Sequence, residues 1–140
     1  MKRTGSAVWK GGLKDGKGTV STESGVLDAV AYSFAKRFGE EKGTNPEELL
    51  GAAHAACFSM ALSAVLGEAG LTAEELSTSA AVTVVPADGG FSITRVDLTL
   101  RAKIPGATDE AFQKAAAGAK AGCPVSKLFN AEITLDARLV

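Results

Sequence analysis

The chain has 140 residues, 46% of them hydrophobic and 22% charged, which is enough to bury one core and too little for two of ordinary size. A single domain spanning 1–140 is therefore expected. A formal net charge of −1 with scattered cations provides no basic stripe for phosphates or anionic lipid, which argues against nucleic acid as a partner.

The segment MKRTGSAVWKGG carries Lys2 and Arg3 but no apolar run behind them, so it does not read as a secretory signal and the expected location is cytoplasmic. In that compartment the two cysteines, Cys57 and Cys123, are better candidates for reactive thiols than for a permanent disulfide. From Ala7 to Phe34, short extended stretches alternate with turn signals at Asp15-Gly16 and Ser24-Gly25, a pattern of three antiparallel strands. The stretch YSFAKRFGEEKGT from Tyr32 to Thr44 has no clean period and is expected to be an ordered loop. At Thr44-Asn45-Pro46-Glu47-Glu48 the signals for a helix start coincide: Asn45 as cap, Pro46 at the first helical position, and acids in the first turn. The helix should run to about Ala69, where Gly67 or Gly70 can stop it.

This helix is apolar or small nearly all round. A membrane span is the weaker reading, because the run is rich in Ala, Gly and Ser, contains His54 and is flanked by Glu. Burial on most sides is expected instead, with small residues allowing another helix to approach closely. Some two dozen helical residues extend about 36 Å, roughly the diameter of a domain this size. A homodimer pairing two such helices would cover them.

Residues Thr78–Pro86 and Phe91–Ile104 flank the turn Ala87-Asp88-Gly89-Gly90, a hairpin signal. In the second strand Val96, Leu98, Leu100 and Ala102 alternate with Asp97, Thr99, Arg101 and Lys103. Thr108 caps a helix that Gly122 closes, Cys123-Pro124 opens a short helical turn, and AEITLDARLV reads as a last amphipathic strand. The order β-β-β-α-β-β-α-α-β is an α+β arrangement of antiparallel sheets covering helices.

Several side chains could carry chemistry. Cys57, mid-helix within HAACFSM, reads by position alone as a small core hydrophobe. Cys123, at a helix N-terminus, has free N–H groups nearby that favour a thiolate. Which one attacks stays open on this reasoning. His54 shares a helix face with Cys57 but reads as a packed core residue, and as the single histidine it completes no familiar metal-ligand spacing. Arg37, between Phe34 and Phe38, and Glu47, in a helix's first turn, each have an ordinary structural reading in isolation.

The stretch RFGEEKGTNPEELLGAAHAACFSMAL, together with AGCPVS, AEITLDARL and WKGGLKDGKGTVSTESGVL, closely resembles the OsmC branch of the OsmC/Ohr family of peroxidases. That resemblance implies an OsmC-like fold, antiparallel sheets around a long central helix in an intertwined homodimer with active sites at the interface. It also implies reduction of organic hydroperoxides to alcohols, more readily than hydrogen peroxide, in oxidative and osmotic stress defence. By motif, Cys57 corresponds to the peroxidatic cysteine and Cys123 to the resolving one. Arg37 corresponds to the arginine that stabilises the thiolate, and Glu47 to the glutamate that orients it. Electrons would come from a dithiol, notably a dihydrolipoyl group, with no metal, haem or flavin. The implied path runs through a sulfenic acid to a Cys57–Cys123 disulfide. Apolar residues such as Phe34, Phe38, Phe58 and Met60 would favour alkyl or aryl hydroperoxides.

Glu47 and Cys57 stand ten residues apart, about 15 Å along a straight helix, which a Glu–Arg pair spans poorly. If both serve one site, Glu47 comes from the partner chain or the helix breaks, with Gly51 as the candidate break. Two other functions compete: a non-catalytic stress protein binding an apolar ligand, and a hydrolase using Cys57 and His54, for which no residue orienting the histidine is evident.

Overall fold

Three short strands, β1 (Gly5–Lys10), β2 (Lys17–Thr22) and β3 (Val30–Ser33), form an antiparallel sheet in the order β1-β2-β3. The computed structural model describes Met1–Val140 and comprises two compact units, Met1–Leu49 and Leu50–Val140. The β1-β2-β3 sheet belongs to the first. Gly18 faces Tyr32 in the register of β2 and β3, and a Cβ there would lie 2.4 Å from the Tyr32 ring and 2.7 Å from the Trp9 ring. The missing side chain lets those two rings close to a centroid distance of 5.2 Å.

The segment expected to be a loop contains a helix instead. Ser33 is extended and accepts the Lys36 N–H at 3.2 Å, capping α1 (Phe34–Phe38). The cap supplies an acceptor for an N–H that has no intrahelical partner, which is enough to start one turn in a stretch without periodicity.

The long helix α2 runs unbroken over Pro46–Glu68. Asn45 Oδ1 accepts the Glu48 N–H at 2.8 Å, as the capping reading requires. Gly51 is no break: a Cβ at this position would lie 2.7 Å from the Ala80 carbonyl oxygen, so glycine there permits close approach to a strand. Burial on most sides is not what this chain provides. Gly51, His54, Phe58, Leu62 and Leu66 are buried at helical spacing, while Leu49, Ala52, Ala53, Ala56, Met60, Ser63 and Ala64 are exposed. By length and composition α2 could cross a bilayer, yet its Phe58, Leu62 and Leu66 belong to the core of the second unit.

The second sheet has the order β4-β5-β6, with β4 (Glu75–Ala87) and β5 (Gly90–Lys103) joined by a hairpin. Asp88 and Gly89 both have positive φ, 47° and 77°, the two-residue turn that suits the twist of paired strands. Val96, Leu98, Leu100 and Ala102 are buried in alternation along β5. Helix α3 (Asp109–Gly122) starts at Thr108, whose hydroxyl accepts the Ala111 N–H at 3.2 Å, and buries Phe112, Ala115, Ala116 and Ala119. Helix α4 (Pro124–Leu128) and β6 (Glu132–Leu139) follow. One pairing departs from an all-antiparallel reading, because β6 runs parallel to β5. The connection between them is a crossover through α3 and α4, and such a crossover returns the chain in its original direction. The Gln113 side chain on α3 donates to the Ala137 carbonyl at 2.8 Å and fixes the last strand beneath the helix. The class is α+β, as expected.

Candidate active site

The first unit assembles a held cation. Helix α1 presents Arg37, and the first turn of α2 presents Glu47. The guanidinium donates from Nε to Oε1 at 3.1 Å and to Oε2 at 3.2 Å, and from Nη2 to Oε1 at 2.7 Å. A fork of this kind fixes the plane of the guanidinium as well as its position. Glu47 keeps only 10% of its side chain exposed against 36% for Arg37, so the acid is the anchor and the cation retains an open side. The N-terminus of α2 adds a favourable field for the Glu47 charge. The Phe38 ring lies under the guanidinium, 4.8 Å from its carbon, and packs against Phe34 at 5.0 Å. Trp9, Leu13, Tyr32, Phe34, Arg37 and Phe38 line a cavity of about 270 Å³. Trp9, Leu13 and Tyr32 carry no sequence signal of a site, since an isolated aromatic on a strand, or a leucine in the turn between two strands, looks like ordinary packing. Of the other apolar residues suggested above, Phe58 is fully buried in the second core and Met60 is 76% exposed.

The second unit assembles two sulfurs. Cys57 projects from α2, and Cys123 sits where α3 ends and α4 begins, its N–H closing α3 on the Ala119 carbonyl at 2.9 Å. The two thiols are close enough to influence each other's ionisation. Burial raises the Cys57 pKa, and the neighbouring Cys123 thiol raises it further against a weaker N–H contact from Val125. Burial also works against the Cys123 thiolate, but the Ser126 N–H, the Cys57 thiol, the Ser126 hydroxyl and the Val125 N–H together outweigh it and lower the pKa. In this arrangement Cys123 is the more acidic of the two thiols. Accessibility runs the other way, with Cys123 fully buried and Cys57 only partly so.

His54 does not serve Cys57. Its Nε2 meets the Ser126 hydroxyl at 2.8 Å, its ring packs edge-on against Phe129 at 5.2 Å, and Nδ1 is buried without a partner. The orienting group that a cysteine–histidine hydrolase requires is absent. Ser126 is the residue that sequence reasoning missed. Its one signal was its place three residues after Cys123, where the first turn of a helix folds back on its cap.

The profile of the OsmC-like protein family matches residues 39–138. The chain is 56% identical to peroxiredoxin OsmC of Escherichia coli over 139 residues, covering 99% of this chain and 97% of that protein. It is 31% identical to the organic hydroperoxide resistance protein OhrB of Bacillus subtilis over 124 residues, covering 87% and 88% of the two chains. The crystal structure of OhrB superposes with a TM-score of 0.74 at 29% identity, covering 96% of this chain and 98% of that one. An OsmC-like protein from Vibrio cholerae shares the fold, with a TM-score of 0.76 at 15% identity and 99% of each chain covered.

Proposed function

The chain belongs to the OsmC-like family and is a thiol-dependent peroxidase, and from that premise we propose that it reduces organic hydroperoxides through Cys57 and Cys123. The observation that carries this reading is the closeness of the two thiols, one partly accessible and one buried. Only Cys57 offers a peroxide any approach, so it is the attacking sulfur. Its thiolate displaces alkoxide from the terminal oxygen of the peroxide; the O–O bond breaks, the alkoxide takes a proton to become the alcohol, and Cys57 becomes a sulfenic acid. Cys123 then attacks that sulfur, hydroxide departs, and the disulfide forms. An external dithiol, of the dihydrolipoyl kind, returns two electrons and two protons.

Cys57 needs a cation to ionise, since burial and its neighbouring sulfur both oppose the thiolate. Arg37, oriented by Glu47, is the residue for that task. Ten residues of unbroken helix separate Glu47 from Cys57, about 15 Å along the axis. The cation therefore reaches the sulfur across a homodimer, as Arg37 of the partner subunit. The exposed Leu49, Ala52, Ala53, Ala56 and Met60 side of α2 supports such a pairing, because its small residues admit a second helix closely. Each chain acts as one OsmC-like domain, 1–140, in the cytoplasm. Apolar rings beside Arg37 favour alkyl and aryl hydroperoxides over hydrogen peroxide, which suits defence against oxidative and osmotic stress.

Turnover of cumene hydroperoxide with dihydrolipoamide tests the scheme. Cys57→Ser should abolish peroxide consumption, and Cys123→Ser should form a sulfenic acid that dimedone traps but recycle poorly. Normal turnover by Cys57→Ser would overturn the scheme.

A further inference from the structure

The sheet β4-β5-β6 ends on β6, which has a neighbouring strand on one side only. Just past its end the Val140 N–H donates to the Ala102 carbonyl of β5 at 3.0 Å. Successive residues of an extended strand turn their N–H and C=O groups to opposite sides. The even-numbered residues of β6 therefore bond to β5, and the carbonyls of Ile133, Leu135 and Ala137 face the free edge. A row of outward carbonyls and N–H groups is a template for a further strand.

Helix α3 meets that edge with two donors. Gln113 Nε2 donates to the Ala137 carbonyl at 2.8 Å, and Lys120 Nζ donates to the Ile133 carbonyl at 3.1 Å. Gln113 and Lys120 stand seven residues apart, two turns and thus one face of α3, about 10 Å along its axis. Their acceptors stand four residues apart on β6, about 13 Å, a mismatch that two long side chains absorb. Asp109, one turn before Gln113, accepts from the same Nε2 at 3.4 Å, so the amide presents its NH2 group and not its oxygen to the strand. Lys120 also places a charge at the edge, which an added strand would have to desolvate.

The two carbonyls so occupied are the ones that a second β6 would need. Two copies of β6 laid antiparallel about Leu135 would set Ile133 opposite Ala137 in hydrogen-bonded pairs, each carbonyl accepting from the N–H across. On the outer face the same register sets Glu132 opposite Arg138 and Thr134 opposite Asp136, with opposite charges facing each other. Glu132 and Arg138 keep 65% and 67% of their side chains exposed, so both are accessible to such a partner. The strand is thus complementary to itself everywhere except where α3 intervenes.

We propose that Gln113 and Lys120 guard the edge of β6: they occupy its outward carbonyls and keep a second copy of this chain from pairing its own β6 there. Any assembly of this protein then forms through other surfaces. The opposite edge, β4, has defences of another kind, since its register is broken between Thr83 and Val84 and Pro86 has no N–H to donate.

The test compares wild-type protein by sedimentation with Gln113→Leu/Lys120→Met, which loses both donors, and with Gln113→Lys/Lys120→Arg, which keeps them. Loss of both donors should strengthen association beyond the wild-type oligomer about tenfold, with an infrared amide signal of intermolecular strands, and the donor-keeping protein should match wild type. Phe112→Ala is destabilised with both donors in place, so it should keep the wild-type size while folded. That control separates pairing at the edge from adhesion of unfolded chains. A donor-free protein with wild-type circular dichroism and wild-type size overturns the proposal and leaves α3 merely fastened to β6. Equal association by folded Phe112→Ala overturns it as well. If the double variant does not fold, Gln113→Leu and Lys120→Met decide singly, each expected to strengthen association about threefold, and wild-type size in both overturns the guard.

Discussion

The two sheets have three strands each and are built on different principles. Along β5, Leu98, Leu100 and Ala102 alternate into a core that also holds Phe58, Phe112 and Cys123. Along β1 every residue is exposed, and between Gly11 and Ser33 the only buried positions are Gly16 and Gly18. A small sheet with no buried apolar side chain of its own is marginal by itself. The sulfurs are therefore fixed by packing, whereas Arg37 is fixed by a helix cap and an ion pair, on a unit that gains from being covered.

The sharpest way to break this contrast is to cut into both sheets. Phe112→Ala should cost about 3–5 kcal/mol, since it empties a fully buried site. Val8→Ala on β1, 55% exposed, should cost within about 0.5 kcal/mol. Equal costs in urea unfolding would remove the distinction. Next in size is Ala56→Glu, which puts a charge on the exposed apolar side of α2. Burying that charge against a second helix should weaken dimerisation by about 3 kcal/mol or more, read by sedimentation; unchanged association would show that this face is not the contact.

The ion pair in the first unit is tested by Arg37→Lys and Glu47→Gln. Lysine cannot reproduce the forked contact, and Gln keeps the shape but loses the charge. Each should lower kcat/KM about 10–100-fold with little change in the Cys123 titration, and wild-type turnover in both would remove Arg37 from the mechanism. A smaller effect concerns pH. Burial depresses the folded His54 pKa below the ordinary 6.5, so below that value the unfolded chain binds more protons than the folded one. The stabilisation is complete above about 6.5 and is lost as pH falls towards the lowered folded value. His54→Gln should flatten the slope of stability against pH in this window, and an identical slope would show that His54 does not cause it. The smallest effect should come from Asp136→Asn. Its contacts with Arg101 and Arg138 are solvent-exposed, and salt screens such pairs, so the unfolding midpoint at neutral pH should barely move.

Much of the fold was legible because its signals are local. Asn45 and Thr108 cap their helices through bonds three residues away, and Asp88-Gly89 makes the turn that its residue types favour. Helix α1 escaped notice because one Ser33 cap starts it, with no periodicity to announce it. The parallel β6 escaped because an amphipathic strand pattern gives the face of a strand and not its direction.

For the site, the sequence by itself determined the inventory: two thiols, one caged between Gly122 and Pro124, an arginine among aromatics and an acid in a helix's first turn. Family resemblance matched those residues to roles. Only the tertiary structure decided which groups meet. It joined Cys57 to Cys123 and Arg37 to Glu47, and turned His54 away from its helix neighbour towards Ser126, 72 residues distant in the chain. The reason is range. Caps and turns depend on the backbone angles of a few successive residues, while contacts between distant side chains depend on how whole helices and sheets pack.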